Sequence, residues 1–358
     1  MNCCANCFND SEIRAIVNSL NQIGDCDFCG STSVNVYPIV KTGAVESMIN
    51  NILDLFEICD DSIEGDSLEY LLLTNWNIFG DLYKEKYEDG DFERLIQALC
   101  EEYRDHTELE ALLSNTVKMP ICEDDNLLNE YAIVSGWTWG EFSEHMKYQN
   151  RFHNYLFNAD ILESFLKPLE KEFLAETIAY RARISADKKG FSTSKMGSPP
   201  IGKRTAGRLN PDEIPIMYLA FESITAMCEV RASTYDFISI GTMKAKKNFK
   251  VINLSEIAAI SPFAYGDLEQ YVINHTCLTE IADEISKPLR RTDNPIEYLP
   301  TQYISEFIKF LKYDGVIYNS TMHAGGLNLA VFDESLFECV DVSTVEVDKI
   351  EYHTSPDL

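Results

Sequence analysis

Residues 207–231 read GRLNPDEIPIMYLAFESITAMCEVR and set an arginine, a tyrosine and a glutamate within one short span. Gly207-Arg208 opens it, and Asn210-Pro211-Asp212 marks a turn. The apolar run that follows, carrying Tyr218, reads as a strand. The segment ending in Cys228, Glu229 and Arg231 reads as a helix. The stretch adjoins the densest basic patch of the chain. From Arg181 to Arg208, eight bases (Arg181, Arg183, Lys188, Lys189, Lys195, Lys203, Arg204, Arg208) face one acid, Asp187. The whole chain of 358 residues has a formal net charge of −28. Cations gathered in this way repel one another unless an anion is bound or the loop stays solvated. Gly190, Gly197, Gly202 and Gly207 would let backbone amides approach a ligand. Cations, glycines and hydroxyls together suit a diphosphate; a solvated basic loop is the competing reading.

Outward from this stretch, TIAYRARIS, IPIMYLAF, DFISIGTM, FKVINL and DGVIYNS are short β-rich runs bounded by turn residues. SITAMCEVRAS and TQYISEFIKFLKY between them read as helices. Residues 173–345 are therefore expected to form a mixed α+β domain, followed by a tail, 346–358. Residues 39–172 read as mostly helical, with apolar residues three and four apart in ESMINNILDLFEIC, SLEYLLLTNWNIF, FERLIQALCEEY and ELEALLSNTV. Trp76, Trp137 and Trp139 fall here and are expected in the core. The pairs Arg104/His106 and Arg151/His153 are expected on the surface.

Residues 1–38 carry two C-x2-C pairs, Cys4/Cys7 and Cys26/Cys29, with eighteen residues between them. Two thiolates on each tight turn can reach one tetrahedral ion, so a closed structural zinc knuckle is expected. Cys3 is an alternative to Cys4. Between the pairs, Ile13, Ile16, Val17, Leu20 and Ile23 recur at helical spacing after the cap-like Asn9-Asp10-Ser11.

The length allows two or three domains. No apolar run reaches about 18 residues, so no membrane helix is expected. MNCCANCFNDSEIR lacks the basic and apolar regions of a secretory signal. Five of the eleven cysteines lie in the first 29 residues, a pattern that fits a reducing cytoplasm and one metal site better than a disulfide framework. So acidic a chain repels nucleic-acid phosphates, which makes general nucleic-acid binding improbable. No Gly-x-Gly-x-x-Gly follows a strand and no P-loop is present, so hydride transfer on a Rossmann fold is not supported.

GRLNPDEIPIMYLA, SITAMCEVR, YLPTQYISEFIKFLKYDGVIYNS and GGLNLAVF, in this order over about residues 176–335, resemble the RES domain. That family comprises toxins of bacterial toxin–antitoxin systems and is named for an arginine, a glutamate and a serine. The zinc knuckle plus helical region is similar to domains that accompany some RES domains. Two departures stand out. Leu209 replaces a common aromatic, and Asp212-Glu213 replaces a usual Pro-Gly, expected to be a tolerated turn variant. The resemblance implies an ADP-ribosyltransferase-like fold that consumes NAD. It places Arg208, Tyr218, Glu229 and Ser320 in the catalytic site. Arg181 or Arg183, and Asn328, join them in binding the substrate. Arg208 would grip the diphosphate bidentately, and Tyr218 would offer an aromatic face to the nicotinamide cation. Glu229 would stabilise an oxocarbenium-like ribose. Ser320 would hydrogen-bond the ribose or the amide.

Three functions follow as expectations. The first is NAD destruction by hydrolysis or phosphorolysis. The second is ADP-ribose transfer to a protein or nucleic acid, and the third a nucleotide-binding zinc adaptor without catalysis. The N-terminal region would meet an antitoxin, a regulator or a second copy of the chain.

Overall fold

The computed structural model describes residues 1–358 except 41–42, 60–64, 86–90, 102–103, 137, 153–155, 201, 203–204, 265–266, 288–293 and 352–358. Two units divide the chain, Met1–Gly136 with Ala259–Thr276, and Trp137–Ala258 with Cys277–Leu358.

In the first unit, β1 (Asn2–Cys4), β2 (Ile23–Gly24) and β3 (Val34–Pro38) form an antiparallel sheet with β3 central. Helix α1 (Ser11–Ser19) begins where the Asp10 carboxylate accepts the Ile13 N–H at 2.9 Å, and it buries Ile13 and Val17. It is shorter than its apolar spacing implies. Asn21 is left-handed (φ 49°), the helix ends at Ser19, and Leu20 and Ile23 stay exposed. Helices α2 (Ala44–Leu53), α3 (Asp91–Cys100) and α4 (His106–Ser114) follow the apolar periodicity. A second sheet, β4 (Glu57–Ile58), β5 (Asp66–Ser67) and β6 (Thr116–Lys118), was not foreseen, because strands of two or three residues show no alternation. Trp76 is buried against Phe56 and edge-on to Tyr271, as a core aromatic. Trp137 lies outside the described residues. Arg104 is not a surface residue. Its side chain is only 8% exposed and pairs with Asp54 and, at 3.1 Å, with Glu108. His106 is exposed, as is Arg151 in the other unit; His153 is outside the described residues.

The second unit is built on an eight-stranded sheet. Its strands are β7 (Glu170–Phe173), β8 (Ile178–Ser185), β9 (Met217–Ala220), β10 (Phe237–Ala245), β11 (Phe249–Asn253), β12 (Gly315–Asn319), β13 (Leu327–Val331) and β14 (Phe337–Glu346). Their order is β14-β10-β8-β9-β13-β12-β11-β7, antiparallel except for β11 with β12. Helices α5 (Trp139–Tyr148), α6 (Ala159–Leu166), α7 (Ser223–Glu229) and α9 (Leu299–Phe310) belong to this unit, and α8 (Leu268–Ser286) spans the division at Thr276. Trp139 is buried and its indole N–H donates to Glu284 at 3.0 Å. The mixed helix-and-sheet class expected from the sequence is present, together with the N-terminal cysteine cluster.

Strand alternation sorts the sheet into two faces. One face packs Ala179, Met217, Leu219, Met243, Phe249, Val251, Ile317, Leu329 and Val331 into the main core. On the other face the register aligns one residue from each of four neighbouring strands. Tyr180 pairs with Ala220, Ala220 with Asn328, and Asn328 with Tyr318. Residues opposite one another in a ladder share a face. This row is the floor on which the candidate site is built.

Candidate active site

A cavity of about 480 Å³ lies over that row. Its lining includes Tyr180, Arg181, Arg208, Tyr218, Glu229, Tyr318 and Asn328, from β8, β9, α7, β12, β13 and the Gly207–Asn210 turn. Arg208, Tyr218 and Glu229, placed together on sequence grounds, do line one cavity, with Arg181 and Asn328 beside them.

Glu229 is the last residue of α7. A carboxylate there opposes the negative end of the helix dipole, so helix stability does not account for its position. Its Oε1 accepts the Ser320 hydroxyl at 2.6 Å and the Asn328 side-chain amide at 2.8 Å. Oε2 takes no hydrogen bond from the described residues. Ser320 does not line the cavity. Its Oγ accepts the backbone N–H groups of Met322 (3.2 Å) and His323 (3.1 Å). A hydroxyl has one donor and two lone pairs. With both lone pairs occupied, its proton points to Glu229. Ser320 therefore orients the glutamate, and the hydroxyl expected to hold ribose or amide is already spent.

The Gly207–Asn210 segment is a two-residue turn, closed by Gly207 N–H to Asn210 C=O at 2.9 Å and Asn210 N–H to Gly207 C=O at 3.3 Å. Arg208 and Leu209 sit at its tip. The Tyr218 hydroxyl donates to Asn210 Oδ1 at 2.8 Å. A Cβ on Gly207 would stand 2.8 Å from that oxygen and 2.9 Å from the Tyr218 hydroxyl, so only glycine leaves room for this contact. Helix α9 holds the turn from behind. The Gln302 amide donates to the carbonyls of Gly207 (2.8 Å) and Asn210 (2.9 Å), and the Thr301 hydroxyl to that of Arg208 (2.6 Å). Arg208 Nη1 donates to the Glu284 carbonyl in the last turn of α8 (3.1 Å), and the guanidinium lies 5.3 Å from the Tyr298 ring centroid. Leu209 is buried in the cavity wall.

Glu213, where glycine is usual in the resembling family, is left-handed (φ 65°), the conformation glycine adopts without cost. Its carboxylate accepts the Gly202 N–H at 2.9 Å, and that of Asp212 accepts Ala206 N–H at 2.6 Å. The turn variant thus ties down the basic loop. Lys203 and Arg204 of that loop lie outside the described residues.

Of the two arginines on β8, Arg181 borders the cavity and Arg183 does not, but both alternate with Tyr180 and Ala182 and so project onto the main-core face, opposite the row under the cavity. The Arg183 guanidinium covers the Phe191 ring at 4.6 Å and donates to the Lys195 carbonyl. Arg181 Nη1 is buried without a hydrogen-bond partner among the described residues. Burial, and then the charge of Arg183, lower its pKa to about 10 against the pull of Glu334. It remains a cation at neutral pH. Burial also pushes the Tyr218 phenol up. Tyr318 is raised by burial and by nearby Tyr218 and Glu229, with Arg208 opposing. Tyr318, Asn210, Thr301 and Gln302 were not foreseen as site residues.

In the first unit, Cys4, Cys7, Cys26 and Cys29 bring their sulfurs within 4.8 Å of one another. The Cys4–Cys7, Cys4–Cys29 and Cys7–Cys26 separations are 3.9, 3.5 and 3.5 Å. Four thiolates about 2.3 Å from a tetrahedral zinc would stand about 3.8 Å apart, so the donor set fits that ion. Cys3 stands apart, its thiol buried against the Tyr37 carbonyl at 3.8 Å.

Among the described residues no helix is long and apolar enough to cross a membrane. No curated protein matches the chain. A similar solved structure is the M. tuberculosis MbcT-MbcA toxin-antitoxin complex, at 15% identity and a TM-score of 0.30, covering 52% of this chain and 92% of that one. Residues 178–355, which hold every cavity residue described above, match the RES domain and belong to that family.

Proposed function

We propose that this RES domain is an enzyme that cleaves the nicotinamide–ribose bond of NAD. The observation that carries the reading is Glu229, held at Oε1 by Ser320 and Asn328 with Oε2 left to a ligand, in a cavity that also contains Arg208 and Tyr218. When the C1′–N bond breaks, its electron pair leaves with neutral nicotinamide and the ribose becomes oxocarbenium-like. A fixed carboxylate beside it stabilises that charge without reorganising. Arg208, on the cavity wall, supplies the cation for a phosphate-bearing ligand. Tyr218, its hydroxyl engaged by Asn210, has its ring to offer to the nicotinamide. The acceptor oxygen of water or inorganic phosphate then bonds to C1′ and gives up its proton. ADP-ribose transfer to a macromolecule remains the second reading, and passive nucleotide binding by a zinc adaptor the third.

Incubation with NAD, with and without phosphate, followed by mass analysis separates these outcomes. ADP-ribose marks hydrolysis, its 1″-phosphate marks phosphorolysis, and a modified macromolecule marks transfer. Intact NAD would overturn the enzymatic reading. Glu229→Gln is nearly isosteric, and the loss of its charge should slow nicotinamide release at least about a hundredfold at unchanged melting temperature. In a cell such an activity is toxic, so the domain would act in the cytoplasm, where NAD is held, and need an antitoxin or regulator. We further propose that the four clustered thiolates bind a structural zinc.

A further inference from the structure

Residues 320–326 form a closed loop. Ser320 N–H donates to the Gly326 carbonyl at 2.8 Å and Gly326 N–H to the His323 carbonyl at 3.0 Å. The loop touches α7 at two points one helical turn apart. One is the Ser320–Glu229 hydrogen bond. The other joins His323 Nδ1 and the fully buried Thr225 hydroxyl at 2.8 Å. Thr225 and Glu229 are four apart in the helix and so share a face. The second contact needs Gly326. A Cβ there would lie 2.6 Å from Thr225 Oγ1 and 2.8 Å from His323 Nδ1. The exposed carboxylate of Glu222 stands 3.9 Å from the same imidazole nitrogen.

We infer that His323 is a positioning residue for Glu229, acting through the loop. By latching onto Thr225 it sets the Met322 and His323 amides against the two lone pairs of Ser320. The Ser320 proton is then committed to Glu229 Oε1, and Oε2 is turned out for the ligand. Neither His323 nor Thr225 lines the cavity, so the latch governs orientation and not substrate contact. The inference rests on the role proposed for Glu229.

The full chain is compared with His323→Ala, His323→Asn, Thr225→Val and the His323→Ala/Thr225→Val double variant. Asparagine keeps a hydrogen-bonding atom near the Nδ1 position, and valine matches threonine in shape. The Ala and Val variants should each lower kcat for nicotinamide release about tenfold with KM for NAD unchanged. His323→Asn should restore most of the loss, and the double variant should be no worse than either single one. The Met322 and His323 amides should exchange with deuterium faster in the Ala and Val variants than in the parent or in His323→Asn. Exchange reads the latch even if the parent leaves NAD intact, a result that sinks the enzymatic proposal alone. Unchanged exchange at these two amides in both the Ala and Val variants overturns the latch whatever happens to kcat. So does a loss that appears in KM, or losses that add in the double variant.

Discussion

Residues 1–136 hold 27 Asp and Glu against seven Lys and Arg, whereas residues 137–358 hold 31 against 23. The acidity of the chain is thus concentrated away from its cavity-bearing half. The two halves also place their acidic and strained residues differently. In the first unit, Glu46 takes the Tyr37 hydroxyl and the Val40 N–H at 2.7 Å each, Arg104 meets Asp54 and Glu108, and Asp10 caps α1. Each of these serves the fold. In the second unit, Glu229 stands at the unfavourable end of α7, and Arg231, a cavity residue, is left-handed (φ 49°). These arrangements cost stability and gain sense once a ligand is present. A bare buried atom does not by itself mark a site, since Asn50 Oδ1 and Arg104 Nε of the first unit also lack a hydrogen-bond partner among the described residues.

Zinc loss should strike the scaffold half hardest. Purified protein should carry about one zinc per chain by elemental analysis. Cys7→Ser should abolish that zinc and the cooperative thermal transition of the first unit, since the binding free energy of a structural zinc is folding free energy. Zinc-free protein with that transition intact would remove the knuckle from the comparison.

Next comes pH. Burial holds the His275 pKa down to about 4, against about 6.5 when unfolded. The unfolded chain therefore binds a proton first as pH falls. Above pH 6.5 the group is neutral in both states and contributes no slope. Between 6.5 and 4 the first unit should lose up to about 3 kcal/mol, read by chemical denaturation at a series of pH values. His275→Gln should flatten that stretch of the curve; an equal slope in the variant would assign the titration to another group.

The smallest effect sharpens the contrast most. Arg181→Met removes an incompletely paired buried cation. It should raise the melting temperature, by about 1–2 kcal/mol of stability. A lower melting temperature would show that Arg181 serves the fold in the same way as Arg104.

Much of the second unit was legible because its strands alternate and its motifs fall in order. Tyr218, Asn328 and Tyr318 lie on ladder positions that alternation alone sends to one face. The duty of Ser320 was not legible, since nothing in DGVIYNS says that two amides further along will take its lone pairs. The Thr301–Gln302 clamp and the His323–Thr225 latch were equally hidden. Each joins residues more than 90 positions apart, and a side chain gripping a distant carbonyl leaves no periodic trace. In the first unit α1 stopped early at a left-handed Asn21 that apolar spacing does not encode, and Arg104 went inside because its partners, Asp54 and Glu108, come from separate elements.

Because α9 grips the 207–210 turn through main-chain oxygens, that grip does not itself use the side chains at 208 and 209. Leucine, buried in the cavity wall, can thus stand at 209 with the clamp intact. Apolar substitutions of similar volume at 209 should therefore reshape the cavity wall while sparing the clamp, a convenient handle for engineering.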